Sequence, residues 1–178
     1  MAFALEQIPS NPEPIVFATN RLTLLVPKEN PADIQRVHDL ARPGVRLVLA
    51  VPGTPLRSYS DELIDKLAGQ FEDGHLLRDQ IMANLASEED NARQVVAKIA
   101  LGEADAAFVY SSDAHSQLAQ DSIEIELPAG LQVQASYPLV NLAEGENYRW
   151  TDQFIQFILS PAGQAILSKW GFGPKDES

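Results

Sequence analysis

Cysteine is absent from the 178 residues, which excludes disulfide scaffolds, cysteine nucleophiles, thiolate zinc sites and iron–sulfur clusters together. Positive charge is scarce: 13 Lys plus Arg stand against 25 Asp plus Glu, for a formal net charge of −12. A surface that holds nucleic acid or an anionic membrane by bulk charge is therefore not expected. Long apolar runs are missing too. The stretch from Arg46 to Val51 falls far short of the ~20 residues that span a bilayer. The three histidines, His38, His75 and His115, are scattered and belong to no HExxH spacing, so no metal site is expected. GxSxG, GxxxxGK[ST] and GxGxxG are all absent, which removes the usual signals of serine hydrolases, nucleotide triphosphatases and dinucleotide enzymes. No nucleophile or acid–base pair is recognisable, and neither catalytic residues nor a cofactor are expected. Residues Met1 to Glu6 lack the basic and apolar regions of a secretory signal.

What is present is an alternation of strand and helix signals. Pro9, Pro12 and Pro14 disfavour regular structure and predict an extended arm. Ile15 to Val26 reads as a strand ended by Pro27, and Asn30-Pro31 predicts a short helix carrying Ile34, Val37 and Leu40 inward. Arg46 to Val51, bounded by Pro43-Gly44 and Pro52-Gly53, predicts a strand covered on both faces. Ser58 or Ser60 can then cap a helix holding Leu63, Ile64 and Leu67. After a helical stretch from Leu76 to Leu85, Ser87-Glu88-Glu89-Asp90 has the composition of a cap and acidic first turn. The helix it opens would bury Val95, Val96 and Ile99 and close at Gly102. Ala104 to Tyr110 reads as a buried strand entering a polar turn. Ile123, Ile125 and Leu127 alternate as in an edge strand, and Val133 to Leu142 extends around Tyr137-Pro138. Trp150, Phe154 and Phe157 recur at helical spacing before Ser160-Pro161, which opens a further turn of helix. The pattern predicts an α/β architecture with helices over a largely parallel sheet, and ligands gather outside the carboxyl ends of such strands.

Three polar segments follow buried strands: Pro55 to Tyr59, Ser87 to Asn91, and Tyr110 to Asp113. The first two open helices, whose free N–H groups and positive dipole ends can bind anions even in an acidic protein. From the pattern alone, plain capped helix starts remain the simpler reading.

The residues also carry a family resemblance. Gly102-Glu103-Ala104-Asp105-Ala106-Ala107-Phe108-Val109-Tyr110-Ser111-Ser112-Asp113 is similar to the GEADAG-x-VY-x-[ST]D signature of the molybdate-binding proteins of ABC importers. Phe17 to Pro27 resembles their first inter-lobe strand, Tyr137-Pro138-Leu139 their returning strand, and Gly171-Phe172 their usual ending. The resemblance implies a type II periplasmic-binding-protein-like fold, with one complete lobe of sheet flanked by helices and a partial second lobe. Residues 1–27 would be an arm and first hinge strand, 28–134 the complete lobe, 135–142 the returning strand, and 143–178 the remnant of the other lobe. It further implies that the backbone N–H groups near Leu56 and at Asn91 and the hydroxyl of Tyr110 contact a tetrahedral oxyanion, molybdate or tungstate, with Arg57 and Ser58 beside them. A shell of neutral donors suits a fully ionised dianion. Arg57 stands where the family has a small residue, often glycine, and could contact the anion, block the site or point to solvent. The implied partner is an ABC permease and the implied location periplasmic or membrane-associated outside the cell. Family members carry a segment before the Phe17 strand that this sequence lacks. The expectation is therefore weakened binding, with Trp150, Phe154, Phe157 and Trp170 exposed and open to self-association or a complementing lobe. A ligand-sensing effector domain of a transcription regulator, built on the same fold, is the alternative.

Overall fold

The computed structural model describes residues 13–142 and 146–175. Most of the sequence-predicted arm lies outside them. The chain divides into two compact units, Asn20–Ala135 and the pair of segments Met1–Thr19 and Ser136–Ser178.

The larger unit is built on a mixed sheet. Strands β1 (Ile15–Pro27), β2 (Leu47–Ala50), β3 (Leu85–Glu89), β4 (Ala106–Tyr110) and β5 (Ser122–Ile125) lie in the order β3-β2-β4-β1-β5, and β6 (Gln134–Leu139) pairs with β1. β2 runs parallel to β3 and β4, whereas β1 runs antiparallel to β4 and β5. The expected largely parallel sheet is thus parallel only in its β3-β2-β4 half. β2 is buried at every position, as its continuous apolar run requires when both faces are covered. The covering helices are α1 (Pro55–Ala68), which buries Leu56, Leu63, Ile64 and Leu67, and α3 (Ala92–Ala100), which buries Val95, Val96 and Ile99. Between them lies α2 (Gly74–Ala83). Phe108, Leu24, Leu49 and Ile64 are fully enclosed in the core.

Three local expectations give way to other geometry. Asn30-Pro31 starts no α-helix: Asn30 takes a left-handed backbone (φ 41°) and its side chain exchanges two hydrogen bonds with the Ile34 backbone, leaving one 3-10 turn at Val37–Ala41. Ser87-Glu88-Glu89 is not a helix start but part of β3, with Glu88 and Glu89 in register with Leu49 and Ala50. The cap of α1 is Thr54 rather than Ser58 or Ser60. Its hydroxyl accepts the Arg57 N–H at 3.3 Å, and Pro55 fills the first helical position, where the missing N–H costs nothing.

The smaller unit contains α5 (Glu146–Leu159) and α6 (Pro161–Lys169); the single helical turn Ser111–Ala114 is α4. Ser160 caps α6 by accepting the Gly163 N–H, as Ser160-Pro161 predicts. Thr19 and Gly173 exchange backbone hydrogen bonds at 3.2 and 2.8 Å. A β-carbon at Gly173 would stand 2.4 Å from the Thr19 hydroxyl oxygen, so that contact requires glycine. The Tyr137 ring packs against Phe17 and, edge-on, against Phe172.

Candidate functional site

Parallel pairing places the carboxyl ends of β3, β2 and β4 side by side, each next to one of the three polar segments, of which Ser87 to Asn91 lies mostly within β3 itself. β2 leads through Pro52-Gly53-Thr54 into α1; Gly53 (φ 90°) makes that turn in a conformation glycine alone adopts easily. β3 leads through Asp90 and Asn91 into α3, and β4 ends at Tyr110. The Val51 N–H donates to the Glu89 carbonyl at 2.9 Å, joining the first two segments at their roots. The Tyr59 ring of α1 meets the Tyr110 ring edge-on at 6.3 Å, joining the first to the third.

The cap geometry identifies the donors of α1. Pro55 has no N–H, the Arg57 N–H is held by the Thr54 hydroxyl, and the Ser58 N–H by the Thr54 carbonyl. Leu56 is left as the first-turn N–H that neither cap nor helix claims. Its side chain is buried, which fixes the backbone that carries the donor. In α3 the Asn91 side chain accepts from Gln94 N at 3.0 Å, and the Gln94 side chain accepts from Asp90 N in return. Asn91 is therefore the cap, and the open end of α3 presents the N–H groups of Ala92 and Arg93 beside that of Asn91. Ala92 and Arg93 escape sequence reading because Ser87-Glu88-Glu89-Asp90 reads as the helix start; the Asn91-to-Gln94 spacing is the signal that marks them.

Tyr110 is half-buried at the N-cap of α4. Its backbone N–H donates to the Asp113 carboxylate, yet burial holds Asp113 above its ordinary value and leaves one carboxylate oxygen without a partner. Buried Asn20, directly before the β1 residues that pair with β4, donates to the Ser112 hydroxyl at 2.8 Å and anchors the turn after Tyr110. Ser58 is exposed, and its hydroxyl donates back to the Thr54 carbonyl at 3.3 Å. In that rotamer it has no proton to offer an anion.

Arg57 neither reaches for an open shell nor points to solvent. Its side chain is 12% exposed; Nη1 donates to the Ala50 carbonyl at 3.1 Å and to Glu88, and Nε donates to both oxygens of Asp61 at 3.1 Å. Desolvation disfavours the cation, but the hydrogen bonds to Glu88 and Asp61 outweigh it and raise Arg57 above the ordinary arginine value. The guanidinium thus ties the last residue of β2, a carboxylate of β3 and the body of α1 together. Asp61, four residues on in the same helix, is a neighbour the local pattern offers, whereas Glu88, 31 residues from Arg57, is one it does not disclose. Among the described residues no group of three or more His, Cys, Asp or Glu could hold a metal ion, and no helix is long and apolar enough to cross a membrane.

Comparison with known proteins agrees with this architecture. The family model "Bacterial extracellular solute-binding protein" matches residues 4–173. The molybdate-binding protein ModA of Mycobacterium tuberculosis H37Rv is 30% identical over 159 residues, covering 89% of this chain and 56% of that protein. A sulfate-binding protein of Synechococcus elongatus is 26% identical over 166 residues, covering 88% and 47% respectively. The chain thus spans about half the length of the curated relatives it matches. A solved substrate-binding domain assigned to a molybdenum ABC transporter of Clostridium difficile superposes with a TM-score of 0.76 at 21% identity, covering 98% of this chain and 72% of that one. It shares the α/β, type II periplasmic-binding-protein-like fold. Proteins of this family bind solutes without transforming them. With 170 of its 178 residues inside the family match, the chain belongs to the bacterial extracellular solute-binding proteins.

Proposed function

We propose that the chain serves as a solute-binding component of an ABC importer and takes a tetrahedral oxyanion, molybdate or tungstate, at the carboxyl edge of β3-β2-β4. The observation that carries this reading is the unclaimed Leu56 N–H at the α1 terminus, beside the open terminus of α3 and the end of β4. Helix termini of this kind favour anions through directed N–H groups and a positive dipole end. The N–H groups of Leu56 and of the α3 terminus and the Tyr110 hydroxyl are the donors in this reading, and the partner is the permease of an ABC importer, which the chain meets outside the cytoplasm. The relatives named for molybdate and sulfate support the ligand class.

These donors amount to part of a tetrahedral shell. Each further charge-assisted hydrogen bond contributes roughly 1.5–3 kcal/mol, so a few of them separate weak from tight binding. The test is a titration of the isotopically labelled chain with sodium molybdate, tungstate and sulfate. Weak binding is expected, with amide shifts concentrated at Leu56, Asn91 to Arg93 and Tyr110. Tighter binding is expected when a polypeptide carrying the unmatched part of the mycobacterial relative is added. Shifts spread over other surfaces, or no response to any of the three anions in either format, would overturn the reading.

A further inference from the structure

Arg57 sits one residue from the Leu56 donor and is held by two carboxylates against its single positive charge. Glu88 is in register with Leu49 near the end of β2, and Arg57 also holds the Ala50 carbonyl, so the cluster occupies the same edge as the donors. Its formal charge is negative by one unit. Asp61 and Glu88 are about one-third exposed, so their charges are only partly screened, whereas the guanidinium between them is nearly covered. An anion arriving at Leu56 meets a neutral hydrogen-bond donor backed by excess negative charge. Directed N–H groups recognise its tetrahedral shape, and the cluster opposes its charge.

We infer that the Arg57–Glu88–Asp61 cluster is a charge-selectivity element of the oxyanion site, which lowers the affinity for dianions relative to monoanions of the same shape. The inference rests on the oxyanion reading proposed above and concerns how that site ranks its ligands. Glu88 and Asp61 act through Arg57 and the local potential, without touching the anion. Removing the charge of Glu88 leaves the cluster neutral and Arg57 attached to Asp61 and Ala50. Removing Arg57 leaves two carboxylates uncompensated.

Molybdate and perrhenate are both tetrahedral tetraoxo anions of nearly equal size, with charges of −2 and −1, and so separate charge from shape. The experiment titrates each into the full chain as wild type, Glu88→Gln, Asp61→Asn and Arg57→Gly, with thermal melts to establish that each variant is folded. A unit charge about 7 Å from a dianion in a water-like dielectric changes affinity by about five- to tenfold, and for a monoanion by about two- to threefold. Glu88→Gln and Asp61→Asn are expected to tighten molybdate by the larger factor and perrhenate by the smaller. Arg57→Gly is expected to weaken molybdate more than perrhenate. A purely structural role would change both anions alike, so a molybdate-to-perrhenate ratio that stays constant across the folded variants overturns the inference and leaves the oxyanion reading standing. If no variant binds either anion, alone or with the complementing polypeptide added, the oxyanion reading falls and the inference with it.

Discussion

Asp105 gives the sharpest test of how this edge is held. The residue precedes β4, is 6% exposed, and accepts three hydrogen bonds from Arg46 at the entry to β2: the backbone N–H at 2.8 Å, Nε at 3.2 Å and Nη2 at 2.7 Å. It therefore clamps together the starts of the two parallel strands whose ends carry Leu56 and Tyr110. Hydrogen bonds to charged groups contribute about 1.5–3 kcal/mol each, and losing one partner of a buried pair costs about 3–5 kcal/mol. Here the Arg46 side chain is 47% exposed and keeps its 3.2 Å bond to the Gly102 carbonyl, so its charge can be rehydrated. The expected cost of Asp105→Ala near neutral pH is accordingly about 2–4 kcal/mol, below the full buried-pair value. Asp105→Asn, which keeps an acceptor for the backbone N–H, should cost about 1–2 kcal/mol.

The pH dependence gives the second half of the test. Burial pushes the Asp105 carboxyl up, but the bonds and charge of Arg46 prevail and hold it below its ordinary value of 3.8. A group lowered in the folded state contributes stability that is present above the unfolded value and lost as pH falls through the folded one. Urea melts should therefore show the wild-type advantage over Asp105→Asn in full at neutral pH and shrinking below pH 3.8. A gap that does not change with pH, or Asp105→Ala within about 0.5 kcal/mol of wild type, would refute the clamp.

Asp113 should behave in the opposite sense: burial raises it above 3.8, so the fold favours the protonated acid and loses stability as pH rises through the folded value. Asp113→Asn should gain on wild type in melts as pH rises above 3.8, and no gain would show that the buried carboxyl carries no penalty. Trp150, Phe154, Phe157 and Trp170 are 68, 60, 51 and 51% exposed, an apolar surface of the kind that marks association. Light scattering should show concentration-dependent self-association that Trp150→Lys with Phe154→Lys abolishes; a monomer at all concentrations with no dye-accessible apolar surface would contradict this.

How much of this was legible in the sequence differs by element. β2 and α1 were readable because their signals are local: an apolar run between two Pro-Gly pairs, followed by apolar spacing at helical period. The rule that placed α6 at Ser160-Pro161 applies equally to Thr54-Pro55, yet Asn30-Pro31 satisfies it and makes a left-handed turn instead. A capping side chain closes a turn whether or not a helix follows, and Asn tolerates the left-handed backbone. β3 was illegible for another reason. Its Ala-Ser-Glu-Glu sequence lacks strand propensity and matches an acidic first turn, but it pairs with buried β2, and Glu88 and Glu89 find Arg57 and Lys98 at a distance. The partners that make those acids acceptable in a strand lie outside any local window. For the same reason the tie of Arg57 to Glu88 shows only in the coordinates.

The net charge of −12 then has a definite consequence for an oxyanion at this edge. Two helix N-termini contribute roughly half a positive charge each, about enough to balance the unit excess of negative charge around Arg57. The near field is thus close to neutral, and recognition rests on directed hydrogen bonds. The far field is strongly repulsive. At about 0.01 M ionic strength the screening length is about 30 Å and a dianion feels most of the chain's charge, while at about 0.15 M it is about 8 Å and only the immediate neighbours count. Molybdate affinity should therefore hold steady or rise as sodium chloride goes from low to physiological concentration, the reverse of what a cationic anion site shows. Calorimetry across that range decides the matter: affinity that falls steeply with added salt would mean that a free positive charge binds the anion, and that Arg57 releases Glu88 and Asp61 to do so.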